Sequence, residues 1–237
     1  MTADGAFVMI RSVIAVCGKV PEPGVVKTRL AAVVGNEWAA VLYHAFLLDA
    51  IDQYKRLEVD VRVYLAPAKT GLPDLPADSV FRQTGPDLGS RMHNAVDHCL
   101  SDGFGRVVVI GTDHPGLPTH YLQRALDVLS EPGTACLGPA EDGGYYLIGL
   151  NAPAPHVFLG MQYSHAEVFV ETVARVRSSR LKLATLPSWY DVDEFADLLR
   201  LREDIRSGRA AGDRTKEAIA QLFRRRPDLL PADSVAT

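Results

Sequence analysis

Four short segments of the sequence concentrate the side chains that could do chemistry. The first, Gly18 to Arg29, places Lys19, Lys27 and Arg29 in a loop stiffened by Pro21 and Pro23 and opened by Gly18 and Gly24. Cations and backbone N–H groups in such a turn can hold phosphate oxygens. It is not a Walker A loop, because no glycine precedes Lys27 and the spacing from Gly24 is too short. The alternative is a loop whose basic residues simply face water. The second segment is Gly111-Thr112-Asp113-His114-Pro115. A carboxylate at a strand end, in a turn fixed by glycine and proline, suits Mg²⁺, which takes one or two carboxylates plus substrate phosphates and water. Asp113 could equally bond only nearby backbone in an Asx-type turn, and the residues by themselves leave both open. His114 reads as a turn residue rather than a ligand or base.

The third segment runs from Gly138 to Tyr146 and contains Asp142-Gly143-Gly144-Tyr145. As local structure it is a hairpin loop with Asp-Gly turn chemistry. Its paired glycines would also admit a ligand close to the backbone, its tyrosines offer faces and hydroxyls, and Asp142 could accept from sugar hydroxyls. The fourth is Trp189-Tyr190-Asp191-Val192-Asp193. Alternation puts Asp191 and Asp193 on one side of an extended chain, where two carboxylates could share a cation. Asp193 could instead be only the N-cap of the helix that follows.

Strands and helices must position these segments. Ser12–Cys17 and Arg106–Ile110 are near-continuous apolar runs, the pattern of strands buried on both faces. Val59–Leu65 alternates and reads as a strand, and Thr134–Leu137, Tyr145–Leu150 and Lys182–Leu186 add three more. Helices are expected after Asn36 and Asp87 as N-caps, from Thr119 to Leu129, and over about 164–177, 193–206 and 214–223. Strand–helix alternation implies a mostly parallel sheet covered on both faces. Two successive strands within 134–150 break it, so one antiparallel strand should be inserted. From Arg224 the sequence loses its period and reads as a loosely attached tail, leaving one domain over residues 1–223.

A chain of 237 residues with 47% apolar and 23% charged content can build one large α/β domain. A net charge of −4, from 25 basic against 29 acidic residues, argues against nucleic acid as partner but not against a single nucleotide. Cys17, Cys99 and Cys136 fit neither a zinc site nor a disulfide framework and read as buried apolar residues in a reducing compartment. No apolar run reaches the roughly 20 residues that span a bilayer. The run from Phe7 to Gly18 imitates a signal core, but Arg11 interrupts it, so a cytoplasmic protein is expected. The apolar face around Trp38 to Phe46 suits core packing better than a dimer contact, and monomer and homodimer both stay open.

Taken together, the segments resemble one family. K-x-P-x-P-G-x-V-K-T-R-L at Lys19–Leu30, Q-x-x-x-D-L-G-x-R-M at Gln83–Met92, G-T-D-x-P at Gly111–Pro115, G-P-A-x-D-G-G-Y-Y-L-I-G at Gly138–Gly149 and the late D-V-D look like the radical-SAM/selenodomain-associated transferases. The resemblance covers about Val13 to Leu199 and is shared, more distantly, with molybdenum-cofactor and deazaflavin-cofactor nucleotidyltransferases. It implies a glycosyltransferase-A-like fold, that of nucleotide-diphospho-sugar transferases. It implies Asp113 and Asp193, with Asp191 as a further candidate, as ligands of Mg²⁺ or Mn²⁺. Lys19, Lys27 and Arg29 take the place of the phosphate loop, with Lys27 and Asp113 in the catalytic role. Gln83, Leu88, Gly89 and Arg91 match the nucleotide-reading segment, and Asp142, Gly143, Gly144 and Tyr145 would face the sugar or acceptor. The chain departs from its relatives in having prolines in the phosphate loop, Glu194-Phe195 after D-V-D, and Tyr163-Ser164 where a Trp-Ser is usual. The implied activity is metal-dependent transfer from a nucleotide-sugar to a small acceptor. Nucleotidyl transfer with release of pyrophosphate, and nucleotide binding without turnover, are the alternatives.

Overall fold

The structure is a computed structural model that describes residues 10–66, 72–209 and 211–230. Seven strands form one sheet in the order β3-β2-β1-β4-β6-β5-β7. They are β1 Ser12–Lys19, β2 Asp60–Ala66, β3 Val80–Arg82, β4 Arg106–Ile110, β5 Thr134–Pro139, β6 Tyr145–Leu150 and β7 Lys182–Thr185. Strand β6 runs antiparallel to both of its neighbours, and the other pairs are parallel. One antiparallel strand therefore sits inside a parallel sheet, as the missing helix between β5 and β6 requires.

The helices are α1 Thr28–Val34, α2 Asn36–Lys55, α3 Leu88–Ser101, α4 Thr119–Val128, α5 Pro155–Phe158, α6 Val168–Ser178, α7 Phe195–Arg206 and α8 Asp213–Arg225. Alternate residues of the strands feed two separate cores. Ile14, Val16, Val108 and Ile110 face α2 and α4, packing on Leu47, Ile51, Leu122 and Leu126. Val13, Ala15, Val107 and Val109 face the opposite layer, packing on Met92, Val96, Phe158 and Val176 of α3, α5 and α6. This is a three-layer α/β/α sandwich. A further cluster joins α1, α2, α7 and α8 through Leu30, Leu42, Phe46, Leu198, Leu201 and Leu222. Helix α2 thus has partners on two sides, which is why the face around Trp38 to Phe46 is core.

Several local expectations need correcting. Asn36 does not cap α2; it is the first helical residue, and Gly35 at φ 88° precedes it. Asp193 does not cap α7 either, because Glu194 and Asp197 form a capping box there. Strand β3 and helices α1 and α5 were not anticipated, being too short to carry a period. Residues 224–230 are not a loose tail: α8 continues to Arg225, a 3₁₀ turn spans Pro227–Leu229, and Leu229 and Leu230 pack on the α7–α8 cluster. The rest of that tail lies outside the described residues, as do Phe7 to Met9 of the signal-like run. No helix among the described residues is long and apolar enough to cross a membrane.

Asp49, buried on α2, has a tertiary role. Its Oδ2 accepts from the Thr215 N–H at 2.7 Å, and Oδ1 accepts from the Arg214 side chain at 3.3 Å, so a residue of α2 caps the start of α8. Removing a capping carboxylate costs about 1–2 kcal/mol. Asp49→Ala should lower the urea-unfolding free energy by that amount, and Asp49→Asn, which retains one acceptor, by less. Equal losses in the two variants would show that the cap is not what stabilises α8.

Candidate functional site

The site forms beyond the carboxyl ends of β1 and β4, where the chain order of the parallel strands reverses. Lys19 ends β1, and Asp113 lies three residues past β4. The loop from Lys19 returns through Pro21 and Pro23 to Lys27, which precedes α1 in a left-handed conformation at φ 49°, ψ 46°. That conformation is unfavourable for a residue with a Cβ and persists only where its surroundings fix it. They do so through the side chain. The Lys27 ammonium, on a side chain only 3% exposed, contacts Asp113 Oδ1 and donates to Asp193 Oδ1 at 2.8 Å. Arg29 donates to the other oxygen of Asp193 at 2.6 Å and to Glu194 at 3.1 Å. The Val192 N–H donates to the Asp113 carbonyl at 2.8 Å, which fastens the D-V-D segment to the β4 turn.

The electrostatics follow from this packing. Burial alone would lower the Lys27 pKa, but Asp113 and then Asp193 hold it above its ordinary value. Burial alone would raise that of Asp113, but Lys27 beside it brings it below the usual carboxylate range. Asp191 behaves oppositely. Burial, and then the negative charges of Asp113, Asp142 and Asp193, push its pKa up to about 8. Its Oδ1 is buried without a hydrogen-bond partner, 3.4 Å from a His114 ring nitrogen that also has none. Burial draws the His114 pKa down to about 4, and its ring meets Tyr146 edge-on. Asp191 and Asp193 therefore do not act as an equivalent pair: only Asp193 joins Asp113 at the cation.

Two cavities open from these carboxylates. One, of about 460 Å³, is lined by Lys19, Lys27, Arg29, Gln83, Leu88 and Arg91. The other, of about 650 Å³, is lined by Asp142, Gly144, Tyr145, Tyr163, His165 and Arg29. Both include Asp113, Asp193, Leu88 and Ser164 in their walls. Ser164 is itself left-handed at φ 69°. Helix α3 starts at the boundary, with Asp87 capping through the Ser90 N–H at 2.7 Å.

Three expected site residues stand differently from the rest. Gln83 gives its amide N–H₂ to the carbonyls of Gly18 (2.8 Å) and Tyr64 (2.9 Å), which joins the ends of β1, β2 and β3. Gly89 and Gly143 are absent from both cavity walls. A Cβ on Gly89 would lie 2.4 Å from the Phe158 carbonyl oxygen, and one on Gly143, at φ 92°, 2.0 Å from that of Ala166. Both glycines are thus demanded by backbone packing. The hairpin reading of the third segment holds, with Asp142 accepting from the Gly144 N–H at 2.9 Å and still facing the larger cavity. Sequence reasoning missed Tyr43 and Thr112. The Tyr43 hydroxyl accepts from the Lys19 N–H at 2.8 Å and from the Thr112 hydroxyl at 2.9 Å, fixing the start of the phosphate-type loop. On α2 a tyrosine reads as core, and nothing local marks it. Tyr163 and Ser164 were visible only as a departure from a familiar pattern, and His165 was not marked at all.

Asp113 and Asp193 are chemically suited to a hard divalent cation, and the unpaired Asp191 oxygen lies beside them. Among the described residues no three His, Cys, Asp or Glu side chains gather as a ready metal cage. A cation here would take its remaining ligands from phosphates and water, as Mg²⁺ commonly does.

Comparison with known proteins bears on the family and the fold. The model of a family described as an uncharacterized protein conserved in bacteria (DUF2064) matches residues 50–165. The crystal structure of a proposed nucleotide-diphospho-sugar transferase from Desulfovibrio desulfuricans is 37% identical, with TM-score 0.82 over 93% of this chain and 97% of that one. The chain belongs to the same family as this relative. Its fold is that of the nucleotide-diphospho-sugar transferases. A cytidylyltransferase from Leptospira borgpetersenii shares the fold at 12% identity and TM-score 0.55, over 97% of this chain and 100% of that one. So does a Mycobacterium tuberculosis protein solved with manganese, at 17% identity and TM-score 0.50, over 81% of this chain and 98% of that one. No curated protein matches the chain.

The Asp191 carboxyl has a measurable consequence. The unfolded chain releases its proton near the ordinary value of 3.8, whereas the folded protein keeps it to about 8. Folding therefore loses stability as pH rises between these values, and the loss is complete above the upper one. In chelator-treated protein, urea-unfolding free energies should fall from about pH 5 to about pH 8 more steeply in the native chain than in Asp191→Asn. The difference should reach up to about 1 kcal/mol per pH unit, allowing for partial solvent screening. Parallel curves would mean that Asp191 is ionised throughout.

Proposed function

We propose that the protein is a transferase that binds a nucleotide-diphospho-sugar and passes the sugar to a small-molecule acceptor, with Mg²⁺ or Mn²⁺ at Asp113 and Asp193. The observation that carries this reading is the contrast between two cavities that meet at those carboxylates. Four cations, Lys19, Lys27, Arg29 and Arg91, line the smaller one, the character a diphosphate needs. The larger has Asp142 and two tyrosines, and the one lysine or arginine among its described lining residues is Arg29, which it shares with the smaller. That lining suits a hydroxyl-rich group better than a second phosphate. The 37% identical relative, a proposed nucleotide-diphospho-sugar transferase, supports the same class.

Transfer forms a bond from an acceptor oxygen to the anomeric carbon and breaks the bond from that carbon to the diphosphate. Lys19, Lys27 and Arg91 would neutralise the charge that collects on the departing nucleoside diphosphate. A bound divalent cation would add Lewis-acid stabilisation of the same oxygens. The Asp142 carboxylate would orient the acceptor hydroxyl and take its proton as the new bond forms. Holding donor and acceptor in adjoining cavities supplies proximity, which accounts for much of the rate in such reactions.

Calorimetry with nucleoside diphosphates and Mn²⁺ tests the reading. Binding should require the metal, and Asp113→Ala should weaken it by about tenfold or more, equivalent to about 1.4 kcal/mol. Unchanged affinity in that variant would remove Asp113 from the metal. Product analysis separates the remaining alternatives. Release of a nucleoside diphosphate supports sugar transfer, and release of pyrophosphate would replace it with nucleotidyl transfer. Nucleotide binding indifferent to metal and to Asp193 would mark a protein without turnover.

A further inference from the structure

The Lys27 ammonium stands in the place where a cation shared by Asp113 and Asp193 would have to stand. It touches one oxygen of each, and its side chain is 3% exposed, although Asp113 and Asp193 themselves are reached from both cavities. Lys19 and Arg91 line the same smaller cavity but are paired with neither carboxylate. Arg29 does pair with Asp193, but from outside, on a side chain 63% exposed and through the oxygen Lys27 does not use. Among the described residues Lys27 alone bridges the two. Lys27 makes this bridge from a left-handed backbone position at the N-cap of α1, an unfavourable conformation for a residue with a Cβ.

We infer that Lys27 is a resident counter-ion that competes with the divalent cation, so that free metal binds weakly until donor phosphates draw the ammonium away. This rests on the metal-dependent transfer proposed above and adds an order to it. An ammonium and a divalent cation cannot both sit between the same two oxygens without strong like-charge repulsion. The smaller cavity offers the displaced ammonium a new anion only when a diphosphate is present. Metal and nucleotide therefore bind with positive coupling, each favouring the arrangement the other needs. In the free protein the same bridge keeps Asp113 and Asp193 together, which would otherwise repel each other.

The test uses the full chain and Mn²⁺ alone, with free Mn²⁺ followed by electron paramagnetic resonance. Lys27→Met should bind free Mn²⁺ about tenfold or more tighter than the native protein, while Lys27→Arg, which keeps the charge, stays near native. Lys19→Met removes a cation of the same cavity that does not bridge, and it should change the affinity little. Equal Mn²⁺ affinity in native and Lys27→Met proteins, or an equal gain in Lys19→Met, would overturn the inference. The native chain gives a second measurement in case Lys27→Met fails to fold. Saturating Mn²⁺ should expose Lys27 to acetylation by acetic anhydride, read by mass spectrometry, and unchanged protection would also overturn it. Failure here with loss of metal–nucleotide binding in Asp113→Ala would leave the transferase reading standing. Full metal–nucleotide affinity in Asp113→Ala would instead remove Asp113 from the metal, and with it the metal assignment on which this inference rests.

Discussion

A buried ammonium between two carboxylates organises this protein. Lys27 joins a loop after β1 to the turn after β4 and to the segment before α7, three stretches far apart in the chain. A lysine side chain so little exposed is tolerable only when paired, because desolvation of an unpaired charge costs several kcal/mol. The pairing thus fixes the phosphate-type loop, and it also sets which carboxylates are charged. Asp113 is held ionised by Lys27, while Asp191 is driven toward its neutral form by burial and then by the neighbouring carboxylates.

The sheet explains why these parts meet. Strands β1 and β4 are adjacent and parallel, so their following loops emerge on the same edge. Strand β5 is parallel to β7 and antiparallel to β6, which brings the hairpin carrying Asp142 to that edge as well. The isolated bridge from Ala140 to Trp189, and the bond from Val192 to Asp113, then dock the D-V-D segment across it. The antiparallel strand inserted into the parallel sheet is therefore what supplies the second cavity with a wall.

Much of the packing around the site serves approach rather than contact. Gly89 lets α3 come against Phe158, and Gly143 lets the hairpin come against Ala166, so both help shape the cavities without lining them. Gln83 and Tyr43 line the smaller cavity and also hold its walls by hydrogen bonding, one across the ends of three strands and the other between Lys19 and Thr112.

The buried strands, the α/β layering and the inserted antiparallel strand were legible in the sequence, because hydrophobic periodicity reports local burial directly. So were the segments bearing Lys27, Asp113, Asp142 and Asp193, since charge clusters and glycine turns are local features. Short elements such as α1 and β3 were not, because a seven-residue helix or a three-residue strand repeats its period at most about twice, too few times to stand out. Spacing alone did not separate Asp191 from Asp193, and only the resemblance favoured Asp193; the folded chain gives Asp193 a cation, and Asp191 burial and a crowd of like charges. The capping of α8 by Asp49 and of α7 by Glu194 was hidden for a related reason. A carboxylate's role depends on which donor reaches it, and that partner is chosen by tertiary packing.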